Sequence, residues 1–213
     1  MDTQMREPAV AGTFYPGSAS ELERQVRELT PVAAARHPML ACIAPHAGYV
    51  YSGKVAGALF GHLDVPRRVI VLGPNHTGVG SQVAVAPHRL GGPPYGERKT
   101  DHRLAEAIVE ASAVAKMDTD AHWREHSLEV QLPFLVERQP ELLFTAVCLS
   151  RLTLDQSLAF GRVLAQVITS TGEPVGIVAS SDMSHYLADD EARRLDRLAI
   201  DAALTRDPAA LYE

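Results

Sequence analysis

Three of the nine histidines stand where an apolar run gives way to a glycine-rich or polar turn. His46 follows the run 39–45 (M-L-A-C-I-A-P), His76 follows 69–73 and Pro74-Asn75, and His185 follows 175–179 within S-S-D-M-S-H. In an open α/β sheet, ligands bind outside the carboxyl ends of the parallel strands, so three such runs lying side by side bring their histidines to one crevice. Two neutral imidazoles suit a borderline metal such as zinc, copper or iron; a carboxylate partner gives the open triad of non-haem iron oxygenases, and a thiolate shifts the preference toward zinc or copper. Cys148, near a strand end, is the thiol in question, although its apolar neighbours favour a buried thiol.

Each candidate also has a plainer reading. His46 lies in A-P-H-A-G-Y-V-Y-S-G, where Pro45 fixes the chain and Gly48 permits a tight turn; a turn histidine bonded to a nearby carbonyl explains it equally. His76 lies in G-P-N-H-T-G, with Gly73 and Gly78 on either side and polar groups on Asn75 and Thr77, all of them ordinary turn residues. Asp182 and His185 are three residues apart, close enough for the carboxylate to orient the imidazole or share in proton transfer. Ser180, Ser181 and Ser184 add hydrogen bonds; otherwise Asp182 caps a turn and His185 packs on Tyr186. Glu125-His126-Ser127 with Glu129 forms a fourth group, an imperfect capping box in which His126 is an acid–base group or an anion contact. His122 and Trp123 are close by, and His37, His62, His88 and His102 read as surface residues. No nucleophile elbow, P-loop or dinucleotide fingerprint occurs in a fitting context.

The elements that must position these residues alternate between strand and helix. Residues 39–44 read as a buried strand, 48–53 as a turn with Tyr49 and Tyr51, and Val55, Leu59, Phe60 and Leu63 as a helical face leading to a buried strand at 69–72. This is one βαβ unit, which puts His46 and His76 at the same sheet edge on adjacent or nearly adjacent strands. Earlier, Ser20 with Glu23 predicts a capped helix bearing Leu22, Val26 and Leu29. Later come a strand at 82–86, an exposed loop at 91–96, and a helix opened by Asp101 with Leu104, Ile108 and Ala111. Pro133 bends or delays a helix bearing Leu128, Leu132 and Leu135. Strands at 143–149 and 175–179 flank an amphipathic helix at 154–168. A last long helix, capped by Asp189 or Asp190, carries Leu195, Leu198, Ala199 and Ala202 inward. Asp207-Pro208 starts a helix with five residues left, which predicts that the natural protein continues.

At 213 residues, 46% hydrophobic and 22% charged, the chain has the composition of one large globular domain, or two at most. The net charge of −6 and the absence of a dense basic cluster argue against a nucleic-acid surface. The amino terminus lacks the apolar core of a signal peptide, and no apolar run has the length of a membrane span. A cytoplasmic protein with two buried, unpaired thiols, Cys42 and Cys148, is expected.

Together, A-P-H-A-G-Y-V-Y-S-G, G-P-N-H-T-G, E-H-S-L-E-V-Q-L-P-F and S-S-D-M-S-H-Y, with the opening R-E-P-A-V-A-G-T-F-Y-P-G, resemble the Memo family. Its bacterial and archaeal members are also called AmmeMemoRadiSam system protein B, and the resemblance runs from about Arg6 to the end. That family is similar to the class III extradiol dioxygenases, non-haem iron enzymes that open catechol rings. The resemblance implies a three-layer α/β/α sandwich with a mostly parallel central sheet. It places His46 and His76 at metal-ligand positions, for iron or copper, and His185, Asp182 and His126 at catalytic positions of the pocket. Tyr51 matches a position tied to peptide binding in the animal relative, which acts in signalling and cell motility, and Asn75 joins it on the substrate side. The family's third ligand is a cysteine in a Cys-Gly turn that would fall beyond residue 213, so residues 1–213 are expected to be a single Memo-like domain lacking its C-terminal part. A metal-dependent, dioxygenase-like oxidoreductase is the function implied; a non-catalytic module binding a peptide or small ligand in the same cleft is the alternative. The family name further implies an AMMECR1-like protein and a radical S-adenosylmethionine enzyme as partners, with no nucleic acid and no membrane.

Overall fold

Central strands that are apolar on both faces divide the core in two. The computed structural model describes residues 5–87, 89–90, 94, 96 and 99–212; His88 and most of the 91–96 loop lie outside them. In chain order the first elements are β1 (Met5–Arg6), α1 (Ala19–Leu29), β2 (His37–Pro38), β3 (Ala41–Ala44), α2 (Tyr49–Gly61), β4 (Leu63–Asp64), β5 (Arg68–Pro74) and β6 (Val83–Val85). There follow β7 (Arg89–Leu90), β8 (Lys99–Thr100), α3 (His102–Ala111), β9 (Ala115–Met117), a 3-10 turn at Glu129–Gln131, and α4 (Leu132–Arg138). The remainder is β10 (Leu143–Leu149), α5 (Leu154–Thr171), β11 (Val175–Ser180), α6 (Asp189–Thr205) and α7 (Pro208–Tyr212).

The main sheet runs in the order β3-β11-β5-β10-β6-β9, with β8 also paired to β10. Every pairing is parallel except β10 with β6. Successive side chains on a strand point to opposite faces. Val69, Val71, Phe144, Ala146 and Val178 therefore meet Leu22, Val26, Phe60, Leu132 and Leu135 of α1, α2 and α4 on one face. Ile70, Val147 and Val175 meet Leu104, Ile108, Phe160 and Leu164 of α3 and α5 on the other. Two cores on one sheet make the expected three layers. No helix among the described residues is long and apolar enough to cross a membrane.

The βαβ expectation holds with one refinement: β3 and β5 are not neighbours, because β11 lies between them. Four expectations are corrected. β3 is not a buried strand, since it ends the sheet order and Ala41 and Ile43 are exposed. Residues 49–53 are the first turn of α2, not a turn between elements; Gly53, Gly57 and Gly61 form a stripe on that helix. A Cβ on Gly57 would stand 2.0 Å from the Leu29 carbonyl oxygen, so glycine lets α2 lie directly on the 29–31 backbone. The first helix starts after Ser18, with no side-chain cap, rather than at a Ser20 capping box. The last long helix follows Ala188, and none of its side chains is buried. Elsewhere the boundaries agree: Asp101 accepts the Leu104 N–H as cap of α3, and Pro133 sits in the first turn of α4, a delayed start. Cys148 is buried but Cys42 only half so, and both are free.

Candidate metal centre at the strand ends

Parallel register sets the site. Ser180 pairs with Ala44, Ala179 with Leu72, and Leu149 with Pro74, so β3, β11 and β5 end at one level. The Ser181 N–H bonds the Ala44 carbonyl, and the Asn75 N–H bonds the Leu149 carbonyl. His46 and His76 leave the sheet just beyond this level. The 125–128 segment closes over the end of β5, and a Cβ on Gly73 would stand 2.6 Å from Ser127 Oγ. Glycine there is what admits His126 to the crevice.

The imidazoles of His46, His76 and His126 gather with ring centroids 4.5–5.7 Å apart. One donor atom from each lies within 4.8 Å of the others. Their hydrogen bonds decide which nitrogens are free. His76 Nδ1 is 2.9 Å from Glu125 Oε1; the ionised carboxylate only accepts, so Nδ1 carries the proton and Nε2 keeps its lone pair. Ser180 Oγ donates to the Ser127 carbonyl at 2.6 Å and accepts from Gln131 Nε2 at 2.9 Å. With its one hydrogen so placed, its 3.0 Å contact with His46 Nδ1 requires that nitrogen to donate, again freeing Nε2. Histidines that bind metals are commonly held this way, with the far N–H on a carboxylate or other acceptor.

Glu125 is 1% exposed and organises this side of the site. Its carboxylate accepts the backbone N–H groups of His76, His126 and Ser127 as well as His76 Nδ1. Burial pushes its pKa up, but the hydrogen bonds from His76 and Ser127 outweigh it and hold the group below the ordinary carboxylate value. Arg6 touches the Glu125 backbone carbonyl at 2.6 Å and forms a buried ion pair, 2.8 Å, with Glu129. Glu129 also accepts the Ala9 and Val10 N–H groups and the Tyr15 hydroxyl, which straps the amino-terminal segment across the site. Phe14, on that strap, meets the His126 ring edge-on at 4.8 Å. Burial lowers the His46 pKa, with Asp182 opposing and His76 and His126 reinforcing; burial likewise lowers that of His126, opposed by Glu125. Both rings are thereby kept neutral, the form that binds metal.

Asp182 anchors the other side. Its Oδ1 accepts the His46 and Ala47 N–H groups, and its Oδ2 lies 3.8 Å from His46 Nε2 and 3.5 Å from His185 Nε2. His185 is exposed at the mouth. These residues border a cleft of about 1250 Å³ walled by Phe14, Ile43, Tyr51, Val55, Ile200 and Leu204. The Asn75 side chain is bonded within its own turn: Nδ2 reaches the Val79 carbonyl, and Oδ1 accepts from Thr77 and Gly78. Cys148 lies away from the three rings, against His122 and the Ala121 carbonyl, and burial raises its pKa far above the ordinary thiol value. Sequence reasoning missed Arg6 and Gln131. Neither carries a local signal, since their partners are 119 and 49 residues away.

A mixed α/β sheet with histidines and carboxylates clustered at its strand ends defines the class of fold and site. The sequence profile of the Memo-like protein family matches residues 6–213, and the chain belongs to that family. It is 40% identical over 209 residues to a MEMO1 family protein of Archaeoglobus fulgidus. It is also 39% identical over 211 residues to one of Aquifex aeolicus and 36% over 215 residues to one of Methanococcoides burtonii. Each alignment takes in 98% of this chain and 78% of the relative.

Proposed function

We propose that the cleft is a metal-dependent oxidoreductase centre of the dioxygenase-like kind, acting on a small organic substrate in a cytoplasmic protein. The observation that carries the reading is the pair of locked tautomers, which leave His46 Nε2 and His76 Nε2 as free donors on two rings whose donor atoms come within 4.8 Å of each other in the cleft. Two neutral nitrogen donors fit iron or copper. Bound there, the ion would supply Lewis-acid polarisation and electron transfer. The chain's own residues do the rest. Asp182 holds the His46 backbone through its Oδ1 and stands 3.5 Å from His185 Nε2 through its Oδ2, placed to orient that imidazole as an acid–base group at the solvent edge. His126 stands within reach of the same inner point, and the Tyr51 ring forms part of the wall a substrate would rest on. Asn75 serves indirectly, by shaping the turn that carries His76. The free thiols Cys42 and Cys148 fit a reducing compartment.

The exposed apolar wall of Ile43, Tyr51 and Val55 favours a second reading, a non-catalytic module holding a peptide or small ligand. Elemental analysis of protein purified without air and without an affinity metal, beside His46→Ala, tests the first reading. Near-stoichiometric iron or copper, lost in the variant, is expected; no metal in either protein refutes it. Oxygen uptake with phenols and catechols then separates the two readings: turnover that His46→Ala abolishes marks the enzyme, and metal without turnover marks the binding module.

A further inference from the structure

The motif R-E-P-A-V-A-G-T-F-Y-P-G takes no part in the chemistry proposed above, yet its first residue reaches the segment that carries Glu125 and His126. We infer that Arg6 is a positioning residue, whose guanidinium holds the 123–125 backbone so that the Glu125 carboxylate meets His76. This role rests on the metal reading above and extends it to the amino-terminal segment. Arg6 is 2% exposed, and a charge so buried needs a partner. Glu129 supplies one at 2.8 Å. The remaining N–H groups go to backbone: Nη2 to the Glu125 carbonyl at 2.6 Å, and Nε, at a longer 3.4 Å, to the Trp123 carbonyl. Residues 125–126 belong to no helix or strand, so no ladder of backbone bonds fixes them. The Glu125 N–H bonds locally, to the His122 carbonyl, and its C=O is taken by Arg6 from 119 residues away.

The division of charge suits the arrangement to this task. Arg6 neutralises Glu129 and touches Glu125 at its backbone, so the Glu125 carboxylate is placed without being quenched. That carboxylate keeps its charge for His76, whose Nδ1–H and backbone N–H it accepts. Lysine at position 6 could keep the ion pair with Glu129. Its single ammonium lacks the flat fork of donors that meets one carboxylate and two carbonyls together. The Tyr15 hydroxyl, by contrast, secures the strap at the Glu129 carboxylate.

The test is a two-bond proton–nitrogen NMR correlation of the His76 ring in the metal-free 213-residue chain. It is run at about pH 8, where a neutral ring reports its tautomer, on the unaltered protein, Arg6→Lys and Tyr15→Phe, and each is then titrated with Co(II). The unaltered chain should show His76 protonated on Nδ1 and bare at Nε2. Arg6→Lys should show a mixture of tautomers and bind Co(II) ~10–100-fold more weakly, the loss that follows disturbance of a group behind a metal ligand. Tyr15→Phe loosens the strap but leaves the carbonyl contacts, so it should keep the unaltered tautomer and affinity; this separates positioning from general support. If Arg6→Lys keeps the His76 tautomer, or if Tyr15→Phe shifts it as far, the positioning role is overturned. A second measurement needs no variant. The Arg6 Nε–H should exchange with water far more slowly than that of exposed Arg24, and equal rates overturn the role too. If the unaltered chain binds no Co(II), the metal reading fails, and the tautomer still decides the role of Arg6.

Discussion

The two walls of the cleft are built by opposite means. On the His76–His126 wall, every functional group is tied down: one buried carboxylate collects two loops, and the Arg6–Glu129 pair clamps the amino-terminal strap over them. On the facing wall, β3 is an edge strand and α6 has no buried side chain, so Ile43, Ile200 and Leu204 present 47%, 38% and 69% of their surface. Few buried contacts mean low local stability. On the proposed reading, the chemistry falls on the wall whose side chains are held by hydrogen bonds, and the ligand's shape is met by the wall with few buried contacts.

Perturbing the rigid wall should have the largest effect. Glu129→Ala leaves Arg6 buried without its partner and should lower stability by about 3–5 kcal/mol, read from chemical denaturation. A loss under about 1 kcal/mol would mean that the strap is not held by this pair. Glu125→Gln probes function more than stability. It removes the charge behind His76 and, on the proposed metal reading, should weaken metal binding by ~10–100-fold, with a stability loss of about 1–3 kcal/mol. Unchanged affinity would show that the carboxylate does not set the His76 tautomer.

Acid should loosen the same wall in the metal-free protein. His46 and His126 have folded pKa values below the ordinary 6.5, so below that value the unfolded chain takes up protons that the folded chain refuses. Their stabilisation is complete above 6.5 and lost as pH falls through their folded values. Glu125, also lowered, adds a second loss below its ordinary 4.5. The Tm should drop between about pH 7 and 5, less steeply in a His46→Ala/His126→Ala protein; an unchanged slope would count against buried neutral rings. The smallest effect belongs to the open wall. Leu204→Ser should change stability by less than about 0.5 kcal/mol, and a loss above about 2 kcal/mol would show that something covers α6 in solution.

Much of this architecture is legible in residue order. Continuous apolar runs mark β5, β10 and β11, helical spacing marks α3 and α5, and the turn chemistry of Pro45, Gly73 and Asn75 locates the strand ends where His46 and His76 emerge. The misreadings fall where tertiary context overrides local pattern. Residues 49–53 have turn composition yet are helical: Gly53 faces the Leu29 side chain and begins the glycine stripe that Gly57 and Gly61 continue against the Leu29 and Pro31 carbonyls. The α6 face has helical periodicity yet stays exposed, because periodicity states which residues share a face and not what meets it.

The sequence by itself determined the fold class, the family, and the level of the sheet at which the histidines emerge, since each rests on short-range patterns of apolarity, turn residues and spacing. Only the tertiary structure decided that β11 inserts between β3 and β5, that Ser180 and Glu125 fix the His46 and His76 tautomers, and that His126 joins them. Those contacts join residues 49 to 134 positions apart, and strand order, not local sequence, brings such residues together.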